Sequence, residues 1–276
     1  MNMHIIPTYL LNPTHPVTVC LIGCGGTGSQ VLVSLARINY TLKALGHPGL
    51  HVITYDPDIV TETNVGRQLF SSSDIGLNKA VLLTTRVNAF YGTAWEAIPE
   101  LFTKKIGWRC NFTFTCVDNI KSRVEVGKIL KQAASRQHHD PYLKVFYWLD
   151  FGNGSNTGQV VLGTPGSIKQ PESEMFETVD YLPVLTEKFD FSQIKEEDSG
   201  PSCSHAEALK KQNLFINSTL AQLGCDMLLE MLTEGMIAYS GFYLNLKTKC
   251  TNPMPLEKRV TPKRITKTKV QKQLTG

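Results

Sequence analysis

Apolar runs alternating with helical stripes set the pattern of the first half of the chain. Residues 17–22 (VTVCLI) are apolar on both faces, the mark of a buried strand, and they end in a glycine cluster. Residues 26–45 then place Val31, Leu32, Leu35, Ala36 and Ile38 at helical spacing. Residues 50–55 (LHVITY) predict a second strand that stops at Asp56-Pro57. A helix over 79–91, a short strand at 95–98 and a strand over 112–117 (FTFTCV) follow, the last rich in β-branched and aromatic side chains. Next come a helix over 120–136 and strands over 143–149 (LKVFYWL) and 158–162 (GQVVL). The pattern fails from 163 to 201, where Pro, Ser and Glu surround Phe176, Tyr181, Phe189 and Phe191. Such a stretch inside a compact domain predicts a mobile, functional loop. Ser204 and Glu207 form a capping box before an apolar-periodic run, which predicts a helix from near His205 to Leu232. A strand over 237–246 would close the sheet.

Strands alternating with helices predict a doubly wound, mostly parallel α/β sheet with helices on both faces, right-handed crossovers and a long crossover-type loop before a C-terminal helix. The expected division is an N-terminal extension (1–16), one domain (17–246) whose loop 163–203 bears Cys203, and a basic, disordered tail (247–276). With 276 residues the core needs no metal or disulfide staple. The formal charge is +4, but nine Lys/Arg and one acid fall from Lys247 onward, so the body is mildly acidic. That distribution argues against a nucleic-acid-binding domain. Seven cysteines, an odd number in mostly apolar settings and with no C-x-x-C pair, fit a reducing, cytoplasmic setting and no zinc site. No apolar run reaches the ~20 residues that span a bilayer, and residues 1–16 carry three prolines rather than a signal peptide, so no membrane association is expected.

The chemistry collects at predicted strand ends. Gly23-Cys24-Gly25-Gly26-Thr27-Gly28 follows a strand and opens a helix, so its amides can reach a phosphate at the positive helix end. Asp56, with Asp58 ranked second, stands where a carboxylate can accept ribose hydroxyls. Asn64-Val65-Gly66-Arg67-Gln68 and Lys79 bring two cations toward the crevice. A nicotinamide site has no need of such a clamp, whereas phosphoryl or nucleotidyl transfer does. Asp118 ends the next strand and suits Mg²⁺, which takes one or two carboxylates plus substrate phosphate. Taken singly, each of these is more often a solvated or capping residue; together, at successive strand ends, they favour a ligand site. Cys24 reads as packing, Cys20, Cys116 and Cys225 as core residues, and His138-His139-Asp140 as a solvated helix end.

Those marks, the GCGGTGS loop at 23–29, Tyr55-Asp56-Pro57-Asp58, Asn64-x-x-Arg67-Gln68, Ile75-Gly76-x-x-Lys79 and Cys116-Val117-Asp118-Asn119, resemble the ThiF/MoeB/E1 superfamily over residues 17–163. Its members adenylate ubiquitin-like proteins on a Rossmann-like fold. The resemblance implies ATP and Mg²⁺, with the glycine loop (Gly23, Gly25, Gly26, Gly28) and Asp56 on the nucleotide. Asn64, Arg67, Gln68 and Lys79 would meet the phosphates, and Asp118 the metal. It also implies a homodimer, a ubiquitin-like or sulfur-carrier-type partner and an E2-like partner. Pro201-Ser202-Cys203-Ser204, Glu207-Ala208-Leu209 and Asn213-Leu214-Phe215-Ile216-Asn217 resemble the ThiF-type proteins of PRTRC mobile-element systems, which implies a bacterial, cytoplasmic setting. The chain departs from many relatives in lacking paired C-x-x-C motifs, an arginine within 1–16, and ubiquitin-fold or catalytic-cysteine domains.

Cys203 lies just before the Ser204 cap, where a helix N-terminus favours thiolate, and is the candidate acyl acceptor; a loop cysteine of no catalytic use is the alternative. The leading expectation is Mg-dependent adenylation of a C-terminal carboxylate. Arg67, Lys79 and Asp118 would serve catalysis, and a thioester on Cys203 would follow. An NAD(P)-dependent oxidoreductase and a non-catalytic scaffold are the rivals.

Overall fold

The computed structural model describes residues 2–104, 110–136, 140–191 and 212–258. The chain opens with β1 (Asn2–Ile5) and α1 (Thr8–Leu11). The run β2 (Val17–Ile22), α2 (Gly26–Ala44), β3 (Leu50–Tyr55), α3 (Lys79–Tyr91) and β4 (Glu96–Ile98) follows. Next are β5 (Phe112–Thr115), α4 (Ile120–Ala134), β6 (Tyr147–Asn153), β7 (Thr157–Gly163), β8 (Glu177–Thr178) and α5 (Leu185–Lys188). The described chain closes with α6 (Ile216–Glu234), β9 (Met236–Ile237), β10 (Tyr239–Asn245) and β11 (Cys250–Pro255).

One eight-stranded sheet has the order β11-β10-β7-β6-β5-β2-β3-β4. The five strands from β6 to β4 are mutually parallel, and β7, β10 and β11 extend the sheet in antiparallel fashion. The mixed, mostly parallel α/β fold is therefore as expected. Every residue of β2 is buried, because helices cover both faces of the sheet. On one face α2, α3 and α6 pack against Val19, Leu21, Val52, Phe112, Tyr147, Leu149 and Phe151. On the other, α4 and α5 pack against Cys20, Ile22, Tyr55, Trp148 and Val161. Chain order reverses between β2 and β5, so the carboxyl ends of these two strands open onto a crevice.

Five boundaries differ from the sequence reading. Residues 2–16 are folded: β1 joins β8 and β9 in a small three-stranded sheet, and Ile6 and Leu10 are buried. The predicted strand 143–149 starts later, at Tyr147. Pro141–Leu143 form a 3-10 turn capped by Asp140, and the Asn111 amide holds the carbonyls of Pro141 and Lys144. Residues 179–185 of the expected mobile loop are packed into the core, while Met175 is exposed. Val179, Leu182, Val184 and Leu185 are buried, and Thr164 and Leu182 exchange hydrogen bonds. The predicted helix 205–232 begins at Ile216 within the described chain. Residues 212–215 are not helical, since Asn213 binds the carbonyl of Ser155 and caps the amide of Phe215. The predicted tail contributes β11, which makes the sheet edge in place of β10. Ser204, Glu207, Cys203, His138 and His139 lie outside the described residues. Cys20, read from the sequence as a core residue in a reducing setting, is buried but bonded to Cys110, two residues before β5, with Cα atoms 5.8 Å apart. Cys24, Cys116, Cys225 and Cys250 are thiols.

The N-terminal strand is pinned by a buried histidine. The His4 Nδ1–H donates to the Val179 carbonyl at 2.6 Å, which leaves Nε2 as the acceptor for the Tyr147 hydroxyl at 2.8 Å. Burial holds the His4 pKa below its usual value, against the opposing pull of the Val179 carbonyl and of Asp180. As pH falls through about 6.5 the unfolded chain takes up a proton that the folded chain refuses, so this site loses stability on acidification. Melting curves between pH 7.5 and 5.5 should therefore fall more steeply for the wild type than for His4→Gln; parallel curves would remove His4 from the account.

Candidate functional site

A cavity of about 560 Å³ opens at the β2–β5 switch point. Its floor is the turn after β2. Gly23 has φ +89°, open to glycine at little cost, and a Cβ there would lie 2.8 Å from the Cys116 carbonyl oxygen. A Cβ on Gly28 would lie 1.8 Å from the carbonyl oxygen of Gly23. The turn is thus folded back on itself so tightly that its first and last glycines touch. Gly25 begins α2 as its N-cap, which turns the first amides of that helix toward the cavity.

Asp56 ties this turn to β3. One carboxylate oxygen accepts from the Cys24 amide at 2.6 Å, and the other from the Asp58 amide at 2.9 Å. Burial raises the Asp56 pKa; the two amides and Lys79 pull against it, and Asp58 adds to the rise. Asp58 pairs with Lys79 (Nζ to Oδ2 2.9 Å), whose side chain is buried while that of Asp58 is exposed. Lys79 is the first residue of α3, which Asn78 caps by accepting from the Val81 amide.

Arg67 and Gln68 come from the long β3–α3 connection and reach over the glycine turn. Gln68 lies 3.8 Å from the space that a Cβ on Gly25 would fill. Arg67 Nη1 donates to the Gln212 side-chain oxygen at 3.2 Å. Arg67 Nε and Gln68 Oε1 are buried and have no hydrogen-bond partner among the described residues. Unpaired groups of this kind are costly unless something binds them, so they point to a ligand in the cavity. Opposite them Asp118 is exposed at the cavity mouth, beside Asn119, which caps α4 through the Ser122 amide at 2.7 Å.

Of the residues singled out in the sequence, Gly23, Gly25, Gly26, Asp56, Asp58, Arg67, Gln68, Lys79 and Asp118 line this one cavity. Gly28 packs beneath the turn. Asn64 is not in the lining: it is buried, and its side chain accepts from the Thr61 amide and hydroxyl to close a 3-10 turn. Asn64 instead supports Gln68, whose amide donates to its carbonyl at 3.0 Å. Cys24 is buried away from the cavity, and desolvation lifts its pKa well above the ordinary thiol value, as it does for Cys116.

Thr27, Asn153, Asn217 and Arg123 also line the cavity and had no site role in the sequence reading. The Thr27 hydroxyl donates to Asn217 at 3.0 Å and lies 3.4 Å from Asn153, which joins α2, α6 and β6 at the far end of the cavity. Arg123 of α4 lines the wall between β5 and β6, paired with buried Asp150. Desolvation pushes the Asp150 pKa up to about 6, with Arg123 pulling it down. Asp150 was missed because the predicted strand stopped one residue short of it. A lone acid continuing an apolar strand is a signal for a buried partner. Among the described residues no three His, Cys, Asp or Glu side chains gather into a metal-binding group.

Residues 5–263 match the ThiF family across nearly the whole chain. This protein belongs to the ThiF family. None of the curated proteins matches it. Among solved structures, E. coli MccB superposes with a TM-score of 0.59 at 17% identity, over 90% of this chain and 64% of its own. PaaA superposes with a TM-score of 0.57 at 15% identity, over 87% of this chain and 64% of its own. The ThiF-family chain thus spans 64% of the length of these two structures, and the likeness is one of fold. MccB has been crystallised with ATP, and with AMPCPP together with MccA. No helix among the described residues is long and apolar enough to cross a membrane.

The contact inside the glycine turn sets a first expectation for this ThiF-family cleft. Gly28→Ala forces the turn open against the Gly23 carbonyl, and overpacking of this kind costs about 1–3 kcal/mol or more. Its melting temperature should fall by at least about 3 °C, and nucleotide binding measured by calorimetry should weaken with it. A variant with wild-type melting and binding would show that the turn is not held closed by that contact.

Proposed function

We propose that this protein adenylates the C-terminal carboxylate of a ubiquitin-like or peptide substrate with ATP. The observation that carries the reading is the convergence of Arg67, Gln68, Lys79 and Asp118 on one cavity over the glycine turn, with Arg67 Nε and Gln68 Oε1 buried and without a partner among the described residues. ThiF-family membership, and the fold shared with MccB, which has been crystallised with ATP and, in another structure, with AMPCPP and MccA, support it. In this reading the amides opening α2 meet the phosphates, and the remaining lone pairs of Asp56 accept a ribose hydroxyl. The base takes the apolar side, where Ile22, Tyr55, Phe102, Val117 and Val126 line the wall.

An oxygen of the substrate carboxylate attacks the α-phosphorus of ATP. The new C(O)O–P bond forms as the bond to the bridging oxygen of pyrophosphate breaks, and that oxygen leaves with the electron pair. Carboxylate is a weak nucleophile, so the chain must act by alignment and charge neutralisation. Arg67 and Lys79 offset charge on the departing pyrophosphate. Asp118, a single exposed carboxylate facing the phosphate-binding side, fits Mg²⁺, which keeps most of its waters and takes one or two protein carboxylates plus phosphate. That ion would neutralise phosphate charge when bound. A subsequent thioester on Cys203, a homodimer, an E2-like partner and a place in a bacterial, cytoplasmic PRTRC system are further parts of the proposal. The thioester rests on the place of Cys203 in the sequence, just before the Ser204 cap, and the others on the sequence resemblance. The oxidoreductase alternative would use the glycine turn and Asp56 but gives Arg67, Gln68 and Lys79 no task.

Pyrophosphate–ATP exchange with candidate ubiquitin-like proteins from the same locus is the direct test. Exchange should be present in the wild type and in Cys203→Ala and abolished in Asp118→Ala. It should fall by about 10²–10³-fold in Lys79→Ala or Arg67→Ala, the usual loss when a charge-stabilising donor is removed. Absence of exchange with every candidate, alongside measurable NAD binding, would hand the site to the oxidoreductase.

A further inference from the structure

Beneath the cleft lies a buried ion pair that the reaction as drawn does not use. Asp150 sits in the middle of β6 and is fully buried on the α4 face of the sheet, in alternation with Trp148. Its partner Arg123 lies one turn into α4 and is buried except where it borders the cleft. Arg123 Nη1 donates to Asp150 Oδ1. Nη2 donates to the carbonyl of Val117 and, at 2.9 Å, to the carbonyl of Phe151. One guanidinium therefore fastens the loop leaving β5 to the body of β6, and Val117 directly precedes Asp118. Asp150 Oδ2 is buried with no partner among the described residues, so the carboxylate is devoted to Arg123.

A buried charge pair is an expensive way to hold two strands that already share a ladder, and two apolar side chains are often as stable. What apolar side chains cannot do is hold a carbonyl at a fixed place, which takes a donor of fixed geometry. The geometry points to Asp150 as a positioning residue acting through Arg123. It holds the guanidinium against the Val117 carbonyl, so that the corner at residues 116–119 presents Asp118 to the cleft. The inference rests on the adenylation reading for the role of Asp118, but the corner can be measured without it.

The experiment uses Asp150→Asn and the double variant Arg123→Met/Asp150→Leu in the full chain. Three readouts are taken: thermal melting, amide hydrogen exchange of the peptide covering 116–119, and pyrophosphate–ATP exchange. In Asp150→Asn the 116–119 amides should exchange about tenfold faster or more while peptides from β2 and α2 keep their protection. Turnover should fall about tenfold or more with KM for ATP within about threefold. The double variant leaves no unpaired buried charge, so it should melt above the single variant yet keep fast exchange at 116–119 and low turnover. It also carries the test if Asp150→Asn does not fold. Recovery of protection and turnover together with melting temperature would overturn the proposal, since the pair would then be structural. Unchanged protection at 116–119 in both variants would overturn it equally. If the wild type shows no pyrophosphate exchange, the adenylation reading fails while hydrogen exchange still decides the positioning role.

Discussion

The closure of the chain on itself after β2 is the constraint on which the rest depends. A side chain at Gly28 would enter the Gly23 carbonyl, and Gly23 itself needs a positive φ. Because both conditions are met, α2 can start immediately at the end of the strand, with its unsatisfied amides facing the crevice. Asp56 accepts the Cys24 amide and so locks the turn to β3. A carboxylate held this way is positioned by the backbone rather than by a flexible side-chain contact. It fixes the distance between the start of α2 and the end of β3. Burial raises the Asp56 pKa, with the two amides and Lys79 pulling the other way and the Asp58 charge adding to the rise.

How far this was legible in the sequence follows from the kind of signal each part leaves. β2, β3 and α3 were readable to the residue, because apolar runs bounded by Gly, Asp-Pro and an Asn cap mark their ends locally. The site residues at strand ends were readable for the same reason. Elements that exist only through distant partners were not. β1 has four residues and becomes a strand because β8 and β9 flank it. Residues 164–191 look unpatterned, yet Val179, Leu182, Val184 and Leu185 fill the sheet margin singly, at positions no period describes. β11 did leave a mark that went unread: Pro253 and Pro255 lack the N–H an inner strand needs and belong on a sheet edge.

Asn64 shows the limit of reading a motif as a list of ligands. It sits in a segment that does reach the cleft, but its side chain closes the turn that supports Gln68. Spacing alone cannot separate a residue that meets a ligand from one that holds its neighbour in place. Arg123 makes the complementary point, since nothing about an arginine on a helix announces that its acceptors lie on β6 and on the loop leaving β5. The fold shared with MccB at 17% identity says as much in another way, because a backbone path survives where few side chains coincide.

The cations of the cleft differ in how their charge is already met, and that difference ranks them. Lys79 faces the carboxylate of Asp58 at 2.9 Å, and Arg123 faces Asp150. Arg67 has, among the described residues, only the neutral Gln212 side chain on Nη1, and nothing on Nε. Two unit charges 4 Å apart attract by about 4 kcal/mol at an effective dielectric constant of 20. A cation already paired must give up a share of that when a new anion arrives, and an unpaired one need not. Asp58 is exposed and can turn to water when a phosphate takes its place, so Lys79 is the next most available. Arg123, with its acceptors filled and its carboxylate buried, is the least available. On the proposed adenylation, an incoming triphosphate should thus be captured first over the glycine turn by Arg67, with Lys79 completing the clamp by exchanging one anion for another. The asymmetry places the gain in charge neutralisation at the end of the cleft where pyrophosphate would leave.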